Sequence, residues 1–140
     1  ANAVNGVINI ITKKASQTQG LQMTGVAGSD PYGSGTLRYG GKLSDTAYYR
    51  AYVKHFDHGD LETAQGAHGN DDWRMTRGGF RIDWDPNKEN KFMFGGDYFS
   101  GVSQANIETN VVLFQNLAQI RYDVSGAHVI GSWTHDFSDS

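Results

Sequence analysis

The chain has 140 residues, a net charge of −3 at pH 7, no cysteine and only 38% hydrophobic residues. It holds no apolar run near the roughly 20 residues of a transmembrane helix and no basic stripe for nucleic acid, and it lacks thiols for disulfides or thiolate metal sites. Eighteen glycines, seven tyrosines, seven phenylalanines and only two prolines favour β structure.

The first predicted element is a short strand over residues 7–12, which follows Gly6 and ends before two lysines. Such a strand is too short to be a domain, so it must belong to the end of a larger unit. The sequence opens without an initiator Met or a signal peptide pattern, and we therefore expect a piece of a longer chain. Residues 1–15 are expected to end one domain, and residues 16–140 to begin a second.

The rest of the chain divides into segments of about ten residues separated by turn signals, which is the spacing of an antiparallel meander. Apolar and polar side chains alternate within these segments; in the fourth, Phe80 and Ile82 alternate with Arg81 and Asp83. The expected fold is therefore all-β, with one apolar and one polar face. Six strands are predicted, over residues 21–28, 35–43, 47–56, 73–85, 91–101 and 127–138.

The predicted connections alternate in length. Residues 44–46 and 86–90 form short turns, whereas residues 57–72 and 103–125 form long loops. Outer-membrane barrels have short periplasmic turns and long extracellular loops, so this alternation favours a transmembrane barrel over a soluble meander. The soluble sheet stays open as an alternative, because so few connections can alternate in length by chance.

Four aromatic residues, Trp73, Trp84, Tyr98 and Trp133, fall toward the ends of predicted strands. Such rings suit the girdle at a membrane interface, and cross-strand packing explains their positions equally well. Both interpretations therefore stay open from the sequence.

Three glycine pairs lie in the middle of predicted strands, at residues 40–41, 78–79 and 95–96. Glycine weakens a strand unless the sheet bends there or another backbone approaches closely. The pairs therefore predict either β-bulges or close contact with a segment that packs on the sheet.

The most suggestive polar residues lie on the predicted polar face. In a barrel they would line the lumen, where they would contact water, or a plug and the path of a substrate. The lumen-facing candidates are Arg38, Lys42, Arg50, Lys54, Arg77, Arg81, Asp83 and Asp97.

The long loop over residues 57–72 is rich in His, Asp and Glu, which are metal-ligating residue types. Their spacing matches neither an EF-hand nor the helical His pair of zinc enzymes, so a solvated acidic loop without a metal is favoured. The extracellular loop candidates are His58, Asp60, His68 and Asp71.

Residues 101–105, Gly-Val-Ser-Gln-Ala, resemble a nucleophile elbow that lacks its final glycine. Because no Asp and His follow in an α/β pattern, we expect neither an enzyme nor a cofactor. The apolar residues that follow, Ile107, Val111, Phe114 and Ala118, have helical spacing, which predicts a short amphipathic helix or an extra hairpin.

The string Asn-Gly-Val-Ile-Asn-Ile-Ile-Thr-Lys at residues 5–13 resembles the end of the plug domain in TonB-dependent outer-membrane receptors, where the chain enters the first barrel strand. Residues 72–75, 78–85 and 131–134 resemble early barrel strands of the same family, with lower specificity. The resemblance implies a barrel of 22 strands with a plug, of which this chain would supply the first strands. The implied plug–barrel junction consists of Asn5, Gly6, Asn9, Thr12 and Lys13.

The resemblance also implies a function. Receptors of this family sit in the bacterial cell outer membrane, in contact with its lipid, and take up a scarce ligand, usually an iron-siderophore and sometimes haem, cobalamin or a glycan. TonB in the inner membrane drives this transport by pulling on the plug N-terminus, a part not present in this sequence, and no bond is broken. The expected partners are therefore membrane lipid, TonB through the missing plug, and an iron-siderophore or similar ligand.

Two other classes stay open. A plugless outer-membrane barrel, such as a porin or an autotransporter translocator, would share the strands but leaves residues 1–15 unexplained. A soluble β-rich binding module would need no apolar face on every strand, and solubility without detergent would distinguish it.

Overall fold

The strands form one six-stranded antiparallel sheet, which confirms the all-β meander expected from the sequence. The computed structural model describes residues 12–28, 32–61, 66, 69, 71–111 and 114–137. Strands pair in sequence order, so the first and last strands are the two edges of an open sheet. The strands are β1 Gly20–Ala27, β2 Tyr32–Ser44, β3 Ala47–His58, β4 Trp73–Trp84, β5 Asn90–Val111 and β6 Phe114–His135.

Two short connections lie at one end of the sheet, which we call the turn end. Residues 45–46 link β2 to β3, and one asparagine organises the link between β4 and β5. The Oδ1 atom of Asn87 accepts hydrogen bonds from the backbone N–H groups of Glu89, at 3.2 Å, and Asn90, at 2.7 Å. A side chain that bonds the backbone just ahead of it closes a tight turn with local contacts alone.

β5 and β6 are much longer than the sequence predicts. Their pairing continues past the end of β4, from Gln104–Arg121 to Val111–Phe114. The prediction of a loop over residues 103–125 is therefore wrong, and the extra hairpin is the alternative that the structure shows. This ribbon projects from the end of the sheet opposite the turns, which we call the loop end.

The register gives the sheet two chemically different faces. Side chains alternate along a strand, so residues paired across strands point to the same side. The apolar face carries most of the large hydrophobic side chains, and they are exposed in this structure: Met23 is 75%, Val129 81% and Trp133 65% exposed. The polar face carries most of the charged strand residues and a short packed segment that contains a 3-10 turn, Ala15–Gln17, whereas Asp57, Arg74 and Asp123 lie on the other face, toward the loop end.

Little of the described structure is buried. The buried side chains are those of Ala15, Thr18 and Asp83, and they lie where the short segment meets the polar face. Among the residues that the structure describes, no helix is long and apolar enough to cross a membrane.

Candidate functional site

All eight lumen-facing candidates lie on the polar face. The register confirms the prediction that they share one side of the sheet. Residues an even number of positions apart on one strand point to the same side, and so do residues that are paired across strands. That this side borders a lumen stays a prediction. The pairs are Arg38–Tyr52, Lys42–Tyr48, Arg50–Arg81, Lys54–Arg77, Asp83–Tyr48 and Asp97–Gly79.

Residues 12–19, which we call the docked segment, cross the polar face before entering β1. Their 3-10 turn is held by backbone bonds from Gln17 N–H to Lys14 O and from Thr18 N–H to Ala15 O, both at 3.1 Å. The Ala15 carbonyl also accepts hydrogen bonds from the Thr18 hydroxyl at 3.1 Å and from the side-chain amide of Gln19 at 2.7 Å. The segment is therefore a compact unit that can press against the sheet without strand pairing.

Asp83 anchors this segment to the sheet. Its Oδ2 atom accepts the Ala15 backbone N–H at 2.6 Å, and only 6% of the residue is exposed. Arg81 bonds the same carboxylate through Nε, at 3.0 and 2.9 Å, and through a terminal nitrogen at 2.7 Å. Arg81 and Asp83 lie two apart on one strand, so their side chains leave the same face and a fork can form locally. The carboxylate is thus charge-compensated and still free to hold a backbone amide.

Two arginines hold the start of the docked segment. A terminal nitrogen of Arg81 donates to Thr12 Oγ1 at 2.6 Å, and one of Arg50 donates to the Lys13 carbonyl at 2.8 Å. Lys14 adds an exposed salt bridge to Asp85 at 3.3 Å. Of the predicted junction residues, Thr12 and Lys13 therefore contact the sheet; Asn5, Gly6 and Asn9 lie outside the described residues.

Gly40 allows the docked segment to pass close to the sheet. A Cβ atom at this position would lie 2.1 Å from the Thr18 carbonyl oxygen and 3.2 Å from Gln19 Cα. Real Cβ contacts are never this short, so a side chain here would displace the segment. Close backbone approach, one of the two predictions for the glycine pairs, is thus confirmed at Gly40.

Bulges, the other prediction for the glycine pairs, are not found at these positions. The register runs without a shift through residues 78–79 and 95–96, and the irregularity in β2 lies between Lys42 and Ser44. Gly79 instead leaves room for the carboxylate of Asp97, which a Cβ would meet at 2.2 Å. Gly79 therefore makes space for a side chain of the polar face, whereas a Cβ at Gly96 would meet the backbone carbonyl of His128 at 2.8 Å.

Asp97 is the centre of a second polar cluster. It accepts a hydrogen bond from the Tyr52 hydroxyl, and Arg77 lies 3.3 Å from each of its two oxygens. His128 Nε2 lies 3.3 Å from Oδ2. Tyr52 and His128 were not among the predicted site residues, although strand alternation places both on the polar face and was the signal that could have found them.

Two lysine–carboxylate pairs lie at the turn end. Lys42 donates to Asp45 at 2.6 Å, and Lys91 donates to Asp136. Each hydrogen bond favours the ionised carboxylate, so the pKa of Asp45 and the pKa of Asp136 both lie below the ordinary value for aspartate.

Three of the four aromatic residues lie near strand ends, whereas the prediction for Tyr98 is wrong, because Tyr98 lies in the interior of β5. On the apolar face at the turn end, Trp84 stacks on Phe92 with ring centres 5.1 Å apart, and Phe92 stacks on Trp133 at 6.3 Å. Trp73 lies on the polar face at the loop end, where it contacts the rings of Phe56 and His58. Cross-strand packing is therefore present, and a membrane girdle stays a prediction.

Of the predicted loop residues, Asp60 and Asp71 lie in the connection from β3 to β4, whereas His58 lies in β3 itself. His58 is the last residue of β3, Asp60 follows it, and Asp71 accepts a bond from Leu61 N–H at 2.8 Å. His68 lies outside the described residues. Within the described part of the chain, no three His, Asp or Glu side chains are grouped to hold a metal ion.

Two open cavities flank the docked segment on the polar face. One, of about 700 Å³, lies over β4 to β6 and is lined by Arg81, Asp97 and His128 among others. The other, of about 480 Å³, lies over β1 to β3 beside Arg38 and Arg50. The arrangement can hold a packed peptide and polar groups.

No protein-family model, no curated protein and no solved structure matches this chain.

Proposed function

We propose that the chain forms the end of a plug and the first barrel strands of a TonB-dependent outer-membrane receptor, which takes up a scarce ligand such as an iron-siderophore. In this proposal the apolar face meets lipid and the polar face lines the lumen. The docked segment is the passage from plug to wall. The protein transports and breaks no bond.

The observation that carries the proposal is the exposed apolar face. Six strands at about 4.8 Å spacing and an apolar band of about seven residues cover roughly 25 by 20 Å, on the order of 500 Å². The largest apolar patch of a typical soluble monomer is about 300–600 Å² and is often an interaction site, so a patch of this size indicates a binding partner or a lipid surface. Lipid is a solvent in which such a face is stable.

The apolar face also ends along one line. Toward the loop end it changes to His55, Thr76, Ser100 and Ser125, which are consecutive cross-strand partners in a single row. A shared boundary across four strands fits a common environment on each side of it, as the edge of a bilayer provides. The long β5–β6 ribbon lies beyond this boundary, where the proposal places water.

The opposite face supports the plug assignment. The docked segment reaches the sheet through Asp83, Arg81 and Arg50 rather than through strand pairing, and Gly40 admits it at close range. A plug that must leave or rearrange within a barrel requires polar contacts of this kind, because water can bond the same groups once the plug has moved. The family resemblance of residues 5–13 points the same way.

Brominated lipid tests the membrane part of the proposal, because bromine quenches tryptophan fluorescence on contact. We expect strong quenching in a single-tryptophan variant that keeps Trp84 or Trp133, and weak quenching in the matched variant that keeps Trp73. Equal quenching of all three would contradict the assignment of the two faces.

The transport part needs the complete natural protein in its own cells. Uptake of radioactive iron from a panel of ferric siderophores should fall when its gene is deleted, and equally when TonB is deleted. Uptake that persists without TonB would reject the receptor assignment and leave a plugless barrel.

A further inference from the structure

Charge is distributed unevenly over the polar face. On β1, β2 and β3 the described side chains of this face include four cations and not one carboxylate: Arg38, Lys42, Arg50 and Lys54. The two carboxylates of the face lie on β4 and β5 and already have arginine partners. Like charges that share a face repel one another unless an anion lies among them.

Among the residues that the structure describes, only one of these four cations has a carboxylate within salt-bridge distance. Lys42 bonds Asp45 in the adjacent turn, whereas Arg50 donates to a backbone carbonyl, which is neutral. Lys54 lies over the ring of Phe56, with its nitrogen 5.6 Å from the ring centre. The charge of Arg50 is therefore only partly compensated.

Arg38 is the most exceptional member of the group. Its Nε atom is buried and has no hydrogen-bond partner among the described residues. Buried donors without a partner are rare and costly, more so in a charged group. The eleven residues that precede Thr12 in the sequence contain neither Asp nor Glu, so they offer no carboxylate to it.

Arg38 borders the open cavity of about 480 Å³ between the docked segment and β1 to β3. The residues that line it all have polar side chains, and two of them are arginines beside hydroxyl and amide groups. The residues that matter here are Gln22, Thr36, Arg38, Arg50 and Tyr52.

We propose that this cavity binds a small oxyanion, a carboxylate or phosphate group, between Arg38 and Arg50. A guanidinium presents parallel N–H groups that match the two oxygens of such an anion, which chloride cannot reproduce. The anion contacts the part of the Arg38 side chain that lines the cavity, and it neutralises the basic half of the face. This inference stands on the cavity and its charges, and it holds whether or not the sheet spans a membrane.

Titration calorimetry of the complete natural protein tests the inference, with inorganic phosphate and citrate as probes and NaCl at equal ionic strength as reference. We expect saturable binding of at least one oxyanion, weakened about tenfold or more by Arg38→Gln, since bonds to charged groups are the strong ones. The matched control is Lys42→Gln, which removes the same charge from the same face of the same strand and should leave the affinity unchanged.

Two further measurements test the proposal even if the Arg38→Gln variant fails to fold. Arg38→Lys keeps the charge but not the fork, and it should bind with intermediate affinity. In the unsubstituted protein, the Nε–H NMR signal of Arg38 should shift on addition of the probe. Binding that Arg38→Gln and Lys42→Gln weaken equally, or an Arg38 signal that NaCl shifts as much, would overturn the proposal. A protein that stays soluble without detergent yet binds the oxyanion would reject the receptor assignment alone.

Discussion

Substitution of Gly40 by alanine should detach the docked segment from the sheet. The new Cβ would lie 2.1 Å from the Thr18 carbonyl oxygen, whereas carbon–oxygen contacts in sheets are about 3.3–3.6 Å, so the segment must move by about 1.2 Å. A shift of that size would stretch the Ala15–Asp83 bond from 2.6 Å to beyond hydrogen-bond range. The bonds from Arg50 and Arg81 to the same segment would weaken with it.

The cost follows from those bonds. A hydrogen bond to a charged group contributes about 1.5–3 kcal/mol, and the neighbouring arginine bonds add about 1 kcal/mol, so docking should weaken by roughly 2–4 kcal/mol. Hydrogen exchange at the Ala15 amide reports this directly, because the residue is fully buried. Its protection should fall by roughly 30- to 700-fold.

Gly35→Ala is the matched control. Gly35 lies on the same strand, and nothing lies within 4 Å of its added Cβ. Alanine in a strand is favoured over glycine by about 0.5–1 kcal/mol, so this variant should be neutral or slightly stabilised. If the Ala15 amide exchanges at the same rate in both variants, the close approach at Gly40 is not what holds the segment.

Three further outcomes follow from single contacts. Asp83→Asn removes the charge from a buried pair and should lower the free energy of unfolding in denaturant by about 3 kcal/mol. Asp85→Asn removes the charge from an exposed pair and should change that free energy by less than about 1 kcal/mol. Similar losses in the two variants would contradict the role of Asp83 as the anchor of the docked segment. Gly20 has φ +84°, so Gly20→Ala should cost about 1–2 kcal/mol in thermal unfolding, and an unchanged melting temperature would argue against this geometry. Lys42→Met should raise the pKa of Asp45 toward its ordinary value in an NMR titration, because the hydrogen bond from the lysine lowers that pKa. The stabilisation by this pair is present at neutral pH and is lost as the pH falls through the lowered pKa. An unchanged pKa of Asp45 in the variant would disprove the bond.

Alternation along the strands was sufficient to predict the two faces. A period of two residues assigns each side chain to a face as long as no residue is inserted, and the one register shift lies close to a turn, beyond most of the candidates. Turn signals likewise located the short connection around Asn87, because one side chain closes it locally. Local patterns of this kind survive in the folded sheet since each depends on neighbouring residues.

The sequence left the β5–β6 ribbon undecided between a helix and a hairpin for a physical reason. Beyond the end of β4, the described parts of the two strands pair with each other and with no third strand. Neither face of the ribbon is therefore required to be apolar, and the sequence lacks the alternation of apolar and polar residues that identifies a strand. The spacing of Ile107, Val111 and Phe114 indicated a helix as readily as a hairpin. Cross-strand pairing, which the sequence does not display, decided between them.

The contacts of the docked segment could not be predicted either. Ala15 and Asp83 are separated by 68 residues, and their bond depends on how three strands bring the carboxylate under the segment. The sequence indicated only that glycine at position 40 leaves room for something. The partner became known from the three-dimensional arrangement.

The central claim is that one face of this sheet meets lipid and the other meets water, and spin labels in lipid bilayers test it most directly. The chain has no cysteine, so single cysteine variants need no prior substitutions. Labels at Leu37, Phe80 and Phe92 should be accessible to oxygen and shielded from a water-soluble nickel chelate, whereas labels at Thr36 and Lys54 should show the reverse. Equal access of the chelate to both sets would contradict the claim.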